Sequence, residues 1–312
     1  PEEDVVVTIT NHGYIKRMPI DTYSQQHRGG KGVIGMETKE EDFVEDIFVA
    51  STHDYLMFFT NRGKVHWQKV YGIPQGSRQS KGKAIVNLLE LGENESVTAM
   101  IPVKEFDEDK YLFMATRSGT VKKSSLSDFS NVRKAGIIAI KLDEGDELVN
   151  VALTDGSREI MMVSRHGKAI RFSEDDVRSM GRAARGVRGM KLAGDDIVVS
   201  LDIVDPESKL LTITENGYGK RTSFDEYRGM RRGGQGVITI VTSLRNGPVI
   251  NVKAVHDDDE VIITSSDGII IRIPVKDIRS QGRNTQGVKI MNVKAGDKVV
   301  GVARIKKEDD TN

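Results

Sequence analysis

Short apolar runs that end in Thr or Ser, followed by two polar residues and a glycine, recur along the whole chain. They are Thr10-Asn11-His12-Gly13, Thr60-Asn61-Arg62-Gly63, Thr116-Arg117-Ser118-Gly119, Ser164-Arg165-His166-Gly167, Thr214-Glu215-Asn216-Gly217 and Ser265-Ser266-Asp267-Gly268. The runs leading into them, such as residues 5–10, 55–60 and 261–264, are rich in β-branched and aromatic side chains. Apolar stretches of this length bounded by turn residues read as strands. The turn supplies the positive φ that a tight hairpin needs, and another apolar run resumes beyond it, as at 65–67 and 269–273. Two more apolar stretches follow in each unit, for example residues 84–89 and 97–101, so about four strands are predicted per unit.

The spacing is regular enough to define the fold. The first glycines lie 50, 56, 48, 50 and 51 residues apart, and a second glycine follows each, at Gly32, Gly82, Gly136, Gly186, Gly236 and Gly287. A period of about 50 residues with four strands per period marks a propeller blade. Glycines and turn residues interrupt every window long enough for a sizeable helix, although Ser173-Glu174-Asp175-Asp176 can start a helical turn. The expected fold is all-β, a six-bladed propeller-like ring forming a single domain over residues 1–312, in which the last blade must meet the first.

Composition removes several functions. A chain of 312 residues with 38% hydrophobic content can fill a core, and its 29% charged content leaves no apolar run that could span a bilayer as a helix. The absence of Cys excludes disulfides, thiolate metal centres and cysteine nucleophiles, and fits a reducing cytoplasm. The acidic start, Pro1-Glu2-Glu3-Asp4, carries no targeting signal. The six His are scattered without ligand spacing, and carboxylate pairs such as Asp175-Asp176 sit in turn-like stretches, so neither a metal site nor an acid–base pair is expected. No P-loop is present, because Gly181 to Gly186 is followed by Val187-Arg188. Trp67 is expected to pack within its blade.

Charge is balanced in total and sorted by place. The chain has 46 Lys plus Arg and 46 Asp plus Glu. Segments 11–32, 61–83, 117–136, 165–189, 215–236 and 266–289 hold 32 of the basic residues and only 10 of the acidic ones. In a ring of equivalent blades, a residue type recurring at one repeat position recurs at one height and radius, so a cationic belt is expected. Near the first glycines lie Lys16, Arg17, Lys64, Lys122, Lys123, Lys168, Arg171, Lys220, Arg221 and Arg272. Around the second lie Arg28, Lys31, Arg78, Lys81, Lys83, Arg133, Lys134, Arg182, Arg185, Arg231, Arg232 and Arg283.

Such a belt, without interleaved exposed aromatics, suits duplex DNA better than a stacked single strand. A duplex on a rim of about 35 Å radius covers half a circuit in about 30 base pairs, at an elastic cost on the order of 15 kcal/mol. About ten phosphate contacts with counterion release could offset that bend, giving binding that depends steeply on salt and weakly on sequence.

The first repeat also contains Gln26-His27-Arg28-Gly29-Gly30-Lys31-Gly32. Placed in a six-bladed β repeat, this heptapeptide resembles the signature of the DNA gyrase A C-terminal domain, with His27 standing where that family has Arg or Lys. A degenerate copy, Met230-Arg231-Arg232-Gly233-Gly234-Gln235-Gly236, sits in the fifth repeat. The resemblance implies a β-pinwheel that wraps DNA on its rim so that the parent type IIA topoisomerase, driven by ATP, introduces negative supercoils. It implies that the box contacts DNA and latches the first blade to the last. It further implies that this domain carries no catalytic tyrosine, ATPase or cofactor, since ATP and Mg belong to other parts. Partners would be DNA, the rest of the gyrase A polypeptide and the gyrase B polypeptide, in the cytoplasm with the nucleoid, the isolated domain being monomeric. Two alternatives stand beside it: the corresponding domain of topoisomerase IV, and a propeller scaffold that binds proteins.

Overall fold

The computed structural model describes residues 1–10, 13–20, 38–39, 44–77, 80–131, 133 and 135–305, with the backbone alone for 38–39 and 44–47. The described residues form six sheets, antiparallel apart from one short pair, each built on one of the hairpins read from the sequence. Both faces of the hairpin strands are covered, which is why their apolar runs are continuous: Tyr55–Thr60 and Glu159–Ser164 are buried at every position after the first. At the turn of the fourth repeat, Gly167 has φ +88° and donates its N–H to the Ser164 carbonyl at 3.1 Å. A Cβ there would stand 2.3 Å from the Ile240 carbonyl oxygen, so glycine is required by conformation and by space.

Each hairpin is flanked on one side by a long strand of its own repeat and on the other by a two-residue strand from the next repeat. Blade 3 shows the arrangement. Tyr111–Thr116 and Thr120–Ser125 make the hairpin, Leu148–Thr154 pairs with the first strand, and Val187–Arg188, from the fourth repeat, pairs with the second. Lys83–Ala84 completes blade 1 in the same way, Ile137–Ile138 blade 2, Val237–Ile238 blade 4 and Val288–Lys289 blade 5. Blade 6, with hairpin Glu260–Ser265 and Ile269–Pro274, is completed by Thr38–Lys39 of the first repeat. In blade 4 a further pair, Gly229–Met230, runs parallel to the hairpin strand Lys168–Ser173.

The chain divides into two compact units, one holding blades 1–3 and the other blades 4–6. In the first, Met57, Phe59, Trp67, Leu112, Leu126 and Phe129 pack between blades 2 and 3, so Trp67 is a core residue as expected. In the second, Leu211, Ile213, Val261, Ile263 and Val275 fill the space between blades 5 and 6. The stretch 84–89, expected to be a strand, differs. After Lys83–Ala84 the chain makes one helical turn, Ile85–Leu88, which turns Ile85 and Leu89 into the core and leaves Val86 exposed. The turn expected after Ser173 is a single 3-10 turn, Glu174–Asp176.

Candidate nucleic-acid interface

The strand exchange creates an arm in each of repeats two to six, running from a 3-10 turn at the end of its own hairpin to the edge strand it lends to the preceding blade. The fully described arms are 174–188, 224–238 and 275–289; the arms at 70–84 and 126–138 are described in part. Residues 177–189, 227–241 and 278–289 contain no Asp or Glu. They carry the exposed Arg178, Arg185, Arg188, Arg228, Arg231, Arg279 and Lys289, and the half-buried Arg182, Arg232 and Arg283. In the first unit Lys81, Lys83 and Arg133 are likewise exposed. These stretches are therefore strips of positive charge that end in the lent strand at one edge of a sheet. Arg178, Arg188, Arg228, Arg279 and Lys289 are additions to the residues expected from the sequence; the acid-free stretches around them are the signal that points to them.

The acidic side chains have a different task. In blades 2, 3, 4 and 6 a carboxylate from the loop ahead of the long strand reaches back to the hairpin turn of its own blade. Asp146 accepts from the Ser118 N–H at 3.0 Å and from its hydroxyl at 2.5 Å, Asp196 from the His166 N–H at 2.9 Å, and Glu95 from the Thr60 hydroxyl at 2.7 Å. Asp297 accepts from the Ser266 hydroxyl at 2.6 Å and the Asp267 N–H at 3.0 Å. Burial works to raise the Asp297 pKa, but donation from Ser265, Ser266 and the N–H groups of Lys298 and Asp267 outweighs it and holds the group at about 2. Part of the charge sorting thus has a local cause: these carboxylates satisfy turn donors, while exposed Arg and Lys recur along the acid-free stretches of the arms.

Several residues expected on the cationic surface lie elsewhere. The repeat pattern places these residues on a cationic belt, whereas the arm of the next repeat covers the second hairpin strand that carries them. Lys122 and Lys220 are completely buried. The Lys220 ammonium donates to the carbonyls of Gly282, Arg283 and Thr285 at 2.7, 2.8 and 3.2 Å and contacts the Thr285 hydroxyl at 3.0 Å. The Lys122 ammonium donates to Ala139 O at 2.5 Å and to Arg182 O. Desolvation brings both ammonium groups down to about 8, with Asp128 and Glu226 pulling the other way and Arg182 and Arg283 adding to the fall. Lys16 donates to Ser77 O and Ser80 O at 3.0 and 2.8 Å, and burial lowers its pKa too.

One residue further along, Arg17 and Arg221 donate from Nε to Ile73 O and Ile278 O at 2.8 and 2.7 Å, and Arg171 donates to Phe224 O at 2.9 Å. Lys123 is buried with its ammonium 5.0 Å from the Tyr111 ring centre, and Arg272 pairs with Glu260. These side chains bind protein groups. Lys64 stays exposed and Lys168 half-buried beside their turns. Gln26, His27, Arg28, Gly29, Gly30, Lys31, Gly32, Arg78 and Lys134 lie outside the described residues.

Comparison with known sequences fits this arrangement. The family model described as "DNA gyrase C-terminal domain, beta-propeller" matches residues 4–51, 54–104, 110–155, 158–205, 208–255 and 259–306, one match for each blade. The chain belongs to this family. The DNA gyrase A protein of Halalkalibacterium halodurans is 56% identical over 310 residues, covering 99% of this chain and 37% of that protein. Its counterpart from Salmonella typhimurium is 50% identical over 304 residues, covering 97% of this chain and 35% of that one. The chain therefore spans a little over a third of the length of the curated relatives it matches. Among solved structures, a topoisomerase IV C-terminal domain superposes with TM-score 0.85 at 27% identity, over 98% of this chain and 94% of the other. A DNA gyrase A C-terminal domain superposes with TM-score 0.76 at 28% identity, over 97% of this chain and all of the other. The all-β, six-bladed architecture expected from the periodicity is the architecture of the gyrase C-terminal domain family.

Within this gyrase-family chain the degenerate box of the fifth repeat is fully described. Met230–Gly236 forms the crest of an arm lying on blade 4, between the pair Gly229–Met230 and the lent strand Val237–Ile238. Gly233 donates its N–H to Gly189 O at 2.7 Å, and Gly234 O accepts from the Lys191 N–H at 2.9 Å. The glycines bring this crest close to its neighbour, and Arg231 is exposed to solvent.

Proposed function

We propose that the chain binds duplex DNA on its arm strips and wraps it, as the C-terminal domain of a DNA gyrase A protein. The observation that carries the reading is the recurrence, in the described arms, of acid-free stretches with exposed Arg and Lys, while carboxylates of the loops ahead of the long strands are held at hairpin turns. A periodic cationic edge neutralises successive phosphates of one backbone and carries no base-specific contact. In the parent enzyme, wrapping would present a second DNA segment for ATP-driven strand passage and so introduce negative supercoils. Partners in that setting are the rest of the gyrase A polypeptide and the gyrase B polypeptide, with ATP and Mg bound by those other parts, in the cytoplasm with the nucleoid. The box at 26–32 belongs to this reading as a DNA contact.

The test is to seal a nicked circular DNA by ligation with the chain bound and to measure linking number. A positive shift that grows with protein supports wrapping, and an unchanged linking number with retained binding refutes it. The superposition on a topoisomerase IV domain favours a second reading, in which the chain serves that enzyme; DNA binding without a linking-number shift would support it.

A further inference from the structure

The buried lysines are unusual for a surface built to meet an anion. Lys220 has three N–H donors, and four oxygens of residues 282–285 face them, so no donor remains for a phosphate. The same stretch is tied at other points: Val241 donates its N–H to Thr285 O at 2.9 Å, Arg283 donates from its guanidinium to Ile238 O at 3.0 Å, and Gln281 donates its N–H to Arg221 O at 2.8 Å. Lys122 repeats the device in the other unit, joining Arg182 O of one arm to Ala139 O behind the lent strand of blade 2, while Lys141 donates its N–H to Ala184 O of the same arm at 3.1 Å. At this position blade 4 has Ile170, and the arm lying over it is the glycine-rich crest, with Gly234 against the isoleucine side chain. Of the three fully described arms, the two without paired glycines each have an ammonium group gathering their carbonyls, and the one with them does not.

We propose that Lys122 and Lys220 are positioning residues for DNA binding, holding the arms that bear Arg182 and Arg283 in the shape that presents their cationic strip to phosphate. The proposal rests on the DNA-binding function proposed above. Carbonyls turned inward onto the ammonium leave the arm's outward side to exposed bases, Arg178 and Arg188 in one unit and Arg279 and Lys289 in the other, while the exposed Arg185 pairs with Asp143 at 2.6 Å. Without that charge the carbonyls lose their partners and repel one another, and the arm's bases lose their common register.

The test measures binding of a 40-base-pair mixed-sequence duplex to the 312-residue chain across salt concentrations, for the unaltered chain, Lys220→Met, Lys220→Ala and Lys122→Met. Amide exchange over residues 282–287 and melting temperature are followed alongside. Because each neutralised phosphate adds about 0.9 to the slope of log affinity against log salt, loss of one arm's register lowers the slope by about two to three units. In Lys220→Ala, added propylammonium, the excised part of the side chain, is expected to restore both the slope and the amide protection in part. Lys122→Met supplies an independent copy in the other unit, should Lys220→Met fail to fold.

An unchanged slope with a lower melting temperature would make the lysines plain scaffold and overturn the proposal. A fall of about one unit, with amide protection intact and no rescue, would make each lysine a direct phosphate contact and overturn it equally. Absence of salt-dependent binding by the unaltered chain would overturn the DNA reading itself, and this proposal with it.

Discussion

Gly236→Ala is expected to destabilise the chain severely, because this glycine stands where a lent strand crosses the neighbouring hairpin. Its φ is +74°, and a Cβ would lie 2.2 Å from the Ala169 carbonyl oxygen and 2.7 Å from its carbon. The left-handed conformation costs an alanine about 1–2 kcal/mol. Relieving the contact requires the backbone to retreat by nearly an ångström, which breaks the short ladder in which Lys168 faces Ile238 and Ala169 faces Val237. Two lost hydrogen bonds at about 1 kcal/mol each bring the sum to roughly 3–4 kcal/mol, a large share of the stability of an ordinary domain. Gly181→Ala is the control, since that glycine has no positive φ and nothing within 4 Å of its Cβ position. It is expected to be neutral, or stabilising by up to about 1 kcal/mol through the unfolded chain. Urea unfolding followed by circular dichroism measures both. If Gly236→Ala falls within about 0.5 kcal/mol of the control, the account of the second glycines is wrong.

Three other outcomes follow from the same geometry. Asp297 titrates at about 2 in the folded chain against an ordinary 3.8, so its contribution, on the order of 2 kcal/mol, is complete above pH 4 and disappears as pH falls toward 2; urea midpoints of Asp297→Asn should lack that part of the acid dependence. Charge reversal on the arms, by Arg228→Glu or Lys289→Glu, is expected to lower the salt slope of DNA binding by about one unit or more per site, read by fluorescence anisotropy, whereas Glu144→Gln at an exposed turn should leave the slope unchanged. Phe129→Ala removes a fully buried ring from the cluster between blades 2 and 3 and should cost about 3–5 kcal/mol in thermal or urea denaturation.

The blade count and the hairpins are legible in the chain because each depends on a local signal, an apolar run closed by a glycine turn, repeated six times. Strand exchange is not. A strand of two residues, such as Val187–Arg188, has no periodicity of its own, and its partner Thr120–Ser125 lies more than 60 residues back. The buried lysines escape a sequence reading for the same reason. Lys122 and Lys220 sit on strands that look like blade edges until the covering arm is known, and burial of a charge depends on carbonyls gathered from distant residues. Exposure of Lys64, Lys81, Lys83 and Arg231, by contrast, follows directly from their places beside turns and on lent strands. What the charge count detects is real sorting, divided between cations that meet solvent and cations that hold the protein together.

Because Thr38–Lys39 supplies the border of the sheet formed by residues 260–305, the two extremities of the sequence share one piece of architecture. No repeat owns a complete sheet, and melting any one of them strips its predecessor bare. Deleting the first forty residues would damage the sixth hairpin's surroundings as surely as the first's.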